Sequence, residues 1–175
     1  MTDLLPILTP PDARLRQKAK PVTEADADRV RALAERMLAT MYAAPGIGLA
    51  APQVGEGLRM FVMDVAGKNE TPDPHVLLNP EITEASRDTE LREEGCLSLP
   101  NQYADIERPY RIRARWLDLT GRRHEAELDA LAARCFQHEL DHLNGVLFVD
   151  HLSILKRNMI LRKLAKELKA KASER

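Results

Sequence analysis

The feature that most constrains this chain is the run QHELDH at residues 137–142, which contains the pattern HExxH. His138 and His142 are four residues apart, just over one helical turn, so a helix here directs both imidazole groups from one face. Two imidazoles placed in this way can hold one metal ion, with Glu139 beside it as a general base. We therefore expect a metal-binding helix over Asp129–Asn144. The structural alternative is a pair of histidines in a core or on a surface.

Two histidines leave a hydrolytic metal site one protein ligand short, because such sites usually take three protein ligands and one water. The extended pattern HExxHxxGxxH supplies a third histidine in one class of metalloprotease, but Phe148 stands at that position, which disfavours the class. A second arrangement takes a carboxylate from a later helix, where Glu167 is the available acid. The other candidates for the third ligand are Cys96, His75, His124, Asp150 and His151.

Cys96 lies in the run EEGCLSLP at residues 93–100, between Gly95 and Pro100, where a constrained backbone presents its thiol. A thiolate is a soft ligand, and one cysteine with two histidines suits Zn(II) or Fe(II). The structural alternative is a buried cysteine that packs as a small hydrophobic residue. Cys135 fits that alternative better, because it lies in the apolar run before the HExxH turn.

The chain of 175 residues is long enough for one domain, and its 44% hydrophobic content can supply a core. The predicted helices and strands do not alternate regularly, so we expect an α+β fold. It would be a single compact domain, residues 1–175, with mixed or antiparallel strands around a central HExxH helix and a C-terminal helix. Segment 84–95 is strongly charged and predicts a loop or an edge strand, and segment 101–106 is expected to be a loop. The first predicted helix covers Thr23–Ala44 and is capped by Thr23 and Asp26. Strands are predicted over 58–65, 75–82 and 110–119, with a turn at Thr120–Gly121. Gly145 is expected to cap the HExxH helix, and a last helix is expected to begin at Ser153, with Leu155, Leu161, Leu164 and Leu168 on one side.

The charge is unevenly placed, although the formal net charge is only −1. Residues 153–175 hold eight Lys or Arg and two acids, so this basic C-terminal helix could attract an anionic partner; a solvated helix face is the alternative. The two cysteines are far apart, which excludes a disulfide framework and favours a reducing compartment. The apolar run Leu4–Leu8 is broken by Pro6 and is too short for a signal peptide or a membrane span. We therefore predict a cytoplasmic protein with no membrane and no DNA partner.

Three segments together resemble the signature motifs of the peptide deformylases, a bacterial-type, iron-dependent family. They are GIGLAAPQVG at 46–55, EGCLSLP at 94–100 and QHELDHLNG at 137–145. The resemblance covers the chain from about residue 6 to residue 165, and three matched motifs are far more specific than HExxH alone. It implies a metallohydrolase that removes the formyl group from the N-terminal formylmethionine of nascent polypeptides and releases formate.

The resemblance also implies roles for the residues at the centre of the site. Glu139 would take a proton from the attacking water and return it to the leaving amine. The side-chain amide of Gln53 and the backbone N–H of Leu97 would stabilise negative charge on the formyl oxygen. The native ion would be Fe²⁺, with Zn²⁺, Ni²⁺ or Co²⁺ able to substitute. The implied metal ligands are Cys96, His138 and His142.

A methionine side chain needs an apolar pocket, and Gly48 of the first motif would lie against the substrate main chain, because glycine lets a backbone approach without a Cβ. Arg134 is expected at the polar rim of this pocket. Glu94 is expected to pair with Arg108 and so hold the loop around the cysteine. The residues expected to bind substrate are Ile47, Gly48, Leu131 and Cys135.

The resemblance further suggests that the basic helix docks near the ribosomal exit tunnel, where RNA is the anionic partner. Two other functions stay open at this point. One is an HExxH metallopeptidase with Glu167 as third ligand, and the other is an inactive ribosome- or RNA-associated domain with a structural metal. Glu139 argues against the second, because a structural site has no use for a base beside its metal.

Overall fold

Residues 2–174, which the computed structural model describes, fold into three α-helices and two antiparallel sheets. The helices and strands are α1 (Ala27–Ala43), β1 (Gly48–Ala50), β2 (Met60–Met63), β3 (His75–Ala85), β4 (Thr89–Cys96), β5 (Leu99–Pro109), β6 (Arg111–Leu117), β7 (Arg123–Asp129), α2 (Ala130–Leu143) and α3 (Ile154–Ser173). One sheet has the order β1-β2-β3-β6-β7, and β4 with β5 forms a separate hairpin. Each of these strand pairs is antiparallel. The predicted α+β class with antiparallel strands is confirmed.

The first helix begins at the capping pair that the sequence predicts. Thr23 and Asp26 form a capping box, in which the Thr23 N–H donates to Asp26 Oδ2 at 2.9 Å, and a short 3-10 turn leads from there into α1. The predicted apolar stripe of α1 packs on β1 and β2. Its buried hydrophobic members are Val30, Leu33, Ala34, Met37 and Met41.

The HExxH segment forms the central helix α2, which contacts β1, β2 and β7. Phe136 anchors its buried side, with its ring edge-on to that of Phe61 at a centroid distance of 5.2 Å. The helix ends as predicted at Gly145, which has a φ of +75°. A Cβ on Gly145 would lie 2.5 Å from the carbonyl oxygen of Arg16, so both the backbone conformation and the packing require glycine.

Two segments differ from the sequence prediction. Segment 101–106 is not a loop, because it lies within β5 and pairs with β4 along the hairpin. Residues 123–129 form β7, a strand that the sequence did not predict, and it pairs with β6 throughout. The outer face of β7 is charged, and ion pairs such as Glu125 with Arg113 tie it to β6, so it carries little hydrophobic signal of its own.

The last helix begins at Ser153, whose side chain accepts a hydrogen bond from the N–H of Lys156, as the sequence predicts. Leu164 is buried against the β4–β5 hairpin side of the molecule. The placement of Leu155 on the apolar side is wrong, because this side chain is 72% exposed one turn before the packed part of α3. Within residues 2–174, no helix combines the length and the apolar character needed to cross a membrane.

Candidate active site

Three sulfur and nitrogen donors converge where the end of β4 meets α2. Ligand atoms of Cys96, His138 and His142 all lie within 4.8 Å of one another. Cys96 Sγ is 3.3 Å from His142 Nε2, and the two imidazole centroids are 5.0 Å apart on one face of α2. The hairpin delivers the thiol, because β4 and β5 turn tightly where Cys96 lies opposite Leu99. Such a group could hold one metal ion.

The other candidates for the third ligand lie outside this group, and each has a different partner. Glu167 of α3 accepts a hydrogen bond from the Gln102 side chain at 2.8 Å, so the geometry does not support the metallopeptidase alternative. The remaining partners are Asp73 for His75, Asp118 for His124, Asp141 for His151 and Arg16 for Asp150.

Glu94 of β4 orients one of the imidazoles. Its Oε1 is 2.9 Å from Nδ1 of His138, which leaves Nε2 of that ring for a metal. The predicted partner Arg108 is confirmed, since it donates to both carboxylate oxygens at 2.6 and 3.0 Å. Burial raises the pKa of Glu94, but the hydrogen bonds from His138 and Arg108 and the charge of Arg108 outweigh it and lower that pKa to about 2. The carboxylate is therefore ionised inside the protein.

Arg134 borders the cavity, where the sequence predicts a polar rim, and its side chain also belongs to the same buried cluster. Its side chain is 9% exposed and donates to Glu94 Oε2 at 2.6 Å and to the carbonyl of Ile106 at 2.8 Å. The burial of this guanidinium has an electrostatic reason, because a buried carboxylate draws in the cations that compensate its charge.

Glu139 lies on α2 next to His138 and is 4% exposed. Among residues 2–174, its Oε1 is buried and has no hydrogen-bond partner. Burial raises the pKa of Glu139 to about 7; a positive charge at His138 lowers it, and the negative charge of Glu94 raises it further. The carboxyl group is thus available to a molecule in the adjoining cavity.

Gly48 lies directly against this carboxyl group. A Cβ at this position would be 2.5 Å from Glu139 Oε2 and 2.9 Å from Cys135 Sγ. The sequence suggests a glycine here for the approach of a substrate backbone. The structure adds a second reason, because two side chains of α2 occupy the space that a larger residue would need.

Gln53 is 1% exposed, and its amide has a defined orientation. Its Oε1 accepts the N–H of Ala50 at 2.9 Å, so its Nε2 points towards Ser98 Oγ at 3.0 Å and Cys96 Sγ at 3.5 Å. Sequence reasoning missed Ser98, although a small polar residue inside the apolar run CLSLP was a usable signal. Leu97 lies between Cys96 and Ser98, in the turn that borders the cavity.

A cavity of about 580 Å³ opens beside these groups, within the usual size range of small-molecule sites. Leu131 and Ile47 are partly exposed at 48% and 42%, whereas Cys135 is buried and burial raises the pKa of its thiol. His142 adjoins these residues through Cys96, whose Sγ lies 3.3 Å from His142 Nε2. The predicted site residues that line the cavity are Ile47, Gly48, Gln53, Cys96, Leu97, Leu131, Cys135, His138 and Glu139.

A purely structural metal site has four protein ligands and needs no base. Among residues 2–174, this group offers three donors, and the fourth direction is left to the cavity and Glu139. The fold and the site therefore define a metal-dependent hydrolase.

The family is shown by comparison with known proteins. Residues 4–158 match the family model of polypeptide deformylase, and the chain belongs to this family, which removes the formyl group from N-formylmethionine. The chain is similar to the peptide deformylase of Mesorhizobium japonicum, with 55% identity over 95% of this chain and 94% of the relative.

Solved structures support the same assignment. The chain is similar to a peptide deformylase from Legionella pneumophila, with 44% identity, a TM-score of 0.89 and coverage of 97% of this chain and 98% of the other. It is also similar to the Ehrlichia chaffeensis enzyme in complex with actinonin, with 38% identity, a TM-score of 0.88 and coverage of 95% and 98%. The family and reaction that the three motifs predicted are confirmed.

Proposed function

We propose that this chain performs deformylation with Cys96, His138 and His142 as metal ligands and with Glu139 as the group that moves the proton. One observation carries the proposal: Glu139 borders the cavity, and its buried Oε1 has no hydrogen-bond partner within residues 2–174. A buried polar atom without a partner calls for a functional explanation, and proton transfer to a bound molecule supplies one.

The donor set fits a borderline divalent ion, because it combines one soft sulfur with two imidazoles. When bound, such an ion lowers the pKa of a coordinated water molecule and polarises a carbonyl oxygen. We propose Fe²⁺ as the native ion, with Zn²⁺, Ni²⁺ or Co²⁺ as substitutes. Loss of activity on aerobic storage, together with its preservation after nickel substitution, supports iron. Full activity of the protein purified with zinc contradicts it.

In the proposed reaction, Glu139 accepts one proton from the water molecule whose oxygen bonds to the formyl carbon. The bond between that carbon and the methionine nitrogen then breaks, and Glu139 returns the proton to the departing amine. One water is consumed, and formate and a free amino terminus are released. The burial of Glu139 supports this role, since bulk water does not compete for the carboxylate.

The amide of Gln53 and the backbone N–H of Leu97 are proposed to stabilise the negative charge that develops on the formyl oxygen. Gln53 suits this role because Ala50 fixes its Oε1 and so directs its Nε2 towards the cysteine. Removing one such donor commonly lowers kcat by about 10²- to 10³-fold.

We propose that the methionine side chain lies against Ile47, Leu131 and Cys135, with its main chain along Gly48. These four residues border one cavity, which supports the assignment. The Ehrlichia chaffeensis enzyme was solved in complex with actinonin. We expect actinonin to occupy the cavity of this chain and to compete with a formyl-Met peptide.

The test measures formate release from a formyl-Met dipeptide together with the metal content of the same sample. The variant Cys96→Ser should lose metal and activity, whereas the variant Glu167→Ala should keep both. The opposite result would restore the metallopeptidase alternative. Stable folding with bound metal but no formate release would favour an inactive metal-binding domain.

The chain is proposed to act in the cytoplasm on nascent chains, with α3 in contact with ribosomal RNA. Arg162, Lys166 and Lys169 support the contact, because they are exposed and lie on one face of α3. Reversing all three to glutamate should reduce co-sedimentation with ribosomes at low salt. Reversal of the exposed Arg31 and Lys68 is the control, and equal binding by both multiple variants would contradict the role of α3.

A further inference from the structure

A chain of polar contacts runs from the metal group to the surface near the start of α3. Glu94 contacts Nδ1 of His138 at 2.9 Å and receives two hydrogen bonds from Arg108. Arg108 also donates from Nη1 to Asp141 Oδ2 at 3.0 Å. The same oxygen lies 2.8 Å from Nε2 of His151. Contacts between four successive residue pairs thus connect a half-exposed histidine with a ring of the donor group.

Exposure is low at the Glu94–Arg108 pair and higher at Asp141 and His151, towards the surface. The side chains of Glu94 and Arg108 are both 5% exposed, Asp141 is 25% exposed and His151 is 39% exposed. Because Arg108 is almost free of water, the carboxylates that it bonds determine the plane of its guanidinium group. Glu94 lies at one end of that group and Asp141 at the other.

We propose that Asp141 and His151 are positioning residues for His138, and that they act through Arg108 and Glu94. His151 fixes the Asp141 carboxylate, which in turn holds one end of the Arg108 guanidinium. Glu94 then keeps the angle at which it orients the imidazole of His138. Without that hold, Arg108 tilts further towards Glu94, whose Oε2 already accepts a hydrogen bond from Arg134. Glu94 then accepts more weakly from His138, and the ring becomes a poorer and less well oriented ligand.

Asp141 is one of the two variable positions in HExxH, so the pattern itself assigns it no task. His151 ends the short 3-10 helix over Phe148–His151 that precedes α3. The contacts therefore link the beginning of the basic helix to a residue of the metal group. The inference rests on the proposed function in one respect, namely that His138 is a metal ligand.

The test uses Co²⁺ as the probe, since its visible absorbance reports a bound thiolate. Its dissociation into excess chelator is timed for the full-length protein and for Asp141→Asn, His151→Phe and His151→Gln, and kcat and KM are measured in parallel. Changes in the outer shell of a metal site typically weaken binding by about 10- to 100-fold, and we expect Asp141→Asn and His151→Phe to release Co²⁺ about 10-fold faster. Their kcat should fall with little change in KM. His151→Gln keeps an N–H donor and should restore the slow release.

The matched control is His124→Phe. Like His151, His124 is partly exposed, at 38%, and its Nε2 lies close to a carboxylate, 2.7 Å from Asp118 Oδ2 in the β6–β7 turn. This variant should release Co²⁺ at the wild-type rate. Wild-type release from His151→Phe overturns the proposal, and so does an equal acceleration in His124→Phe. If Asp141→Asn does not fold, His151→Phe decides alone. Failure of the proposed function is separate: wild-type protein would release no formate, or Cys96→Ser would hold Co²⁺ unchanged.

Discussion

Replacing Gly48 with alanine should lower deformylation strongly while leaving the fold intact. The new Cβ would lie 2.5 Å from Glu139 Oε2 and 2.9 Å from Cys135 Sγ, whereas ordinary contact begins at 3.4 Å. The Glu139 carboxyl group must therefore move by about 0.9 Å, and a misplacement of about 1 Å can lower a catalytic rate about 100-fold. We expect a loss of that size in kcat/KM for a formyl-Met peptide.

The backbone should tolerate alanine, because Gly48 does not have a positive φ. The close contacts of the new Cβ with Glu139 and Cys135 should lower the free energy of unfolding by about 1–3 kcal/mol. Gly57→Ala is the matched control, since its Cβ would meet no atom of residues 2–174 within 4 Å. Both variants are compared by kcat/KM, metal content and thermal unfolding. If Gly48→Ala matches Gly57→Ala in kcat/KM with the same metal content, the proposed position of Glu139 is refuted.

Three further substitutions test the packing around the site. Glu94→Gln removes the charge that two buried arginines share, and it should lower the free energy of unfolding of the metal-free protein by about 3–5 kcal/mol. The control Glu81→Gln, in an exposed ion pair, should change that free energy by less than about 1 kcal/mol. Similar values for both variants would contradict the reasoning. Ser98→Ala removes the hydrogen-bond acceptor of the Gln53 side-chain amide, a bond worth about 0.5–1.5 kcal/mol. If that energy is lost in the transition state, kcat should fall about 2- to 12-fold without a change in KM. An unchanged kcat means that Gln53 needs no such support. Gly145→Ala places a Cβ against the backbone of Arg16 at a residue whose own φ is positive. Urea unfolding should therefore show a free energy of unfolding that is lower by at least about 1 kcal/mol. Wild-type stability would argue against the close contact.

Local patterns predicted the helices well, because capping and helical spacing act over a few neighbouring residues. Thr23 with Asp26 and the side chain of Ser153 both cap as their sequence context indicates. Strand β7 was not predicted, because its conformation depends on pairing with β6 rather than on its own composition. The ion pair of Arg134 with Glu94 was not predicted for a similar reason, since nothing near Arg134 in sequence shows that Glu94 lies beside it, 40 residues away.

The sequence by itself determined that the two imidazoles lie on one helix face with a carboxyl group beside them. A spacing of four residues in a helix places side chains on one face whatever the rest of the chain does. On residues alone the third donor stayed open, and it was the likeness to a family that singled out Cys96. Only the tertiary structure brings that thiol, 46 residues before His142, to 3.3 Å from its ring. The physical reason is range: helical geometry relates residues within a turn or two, whereas the meeting of the β4–β5 hairpin with α2 depends on burial and buried charge across the whole domain.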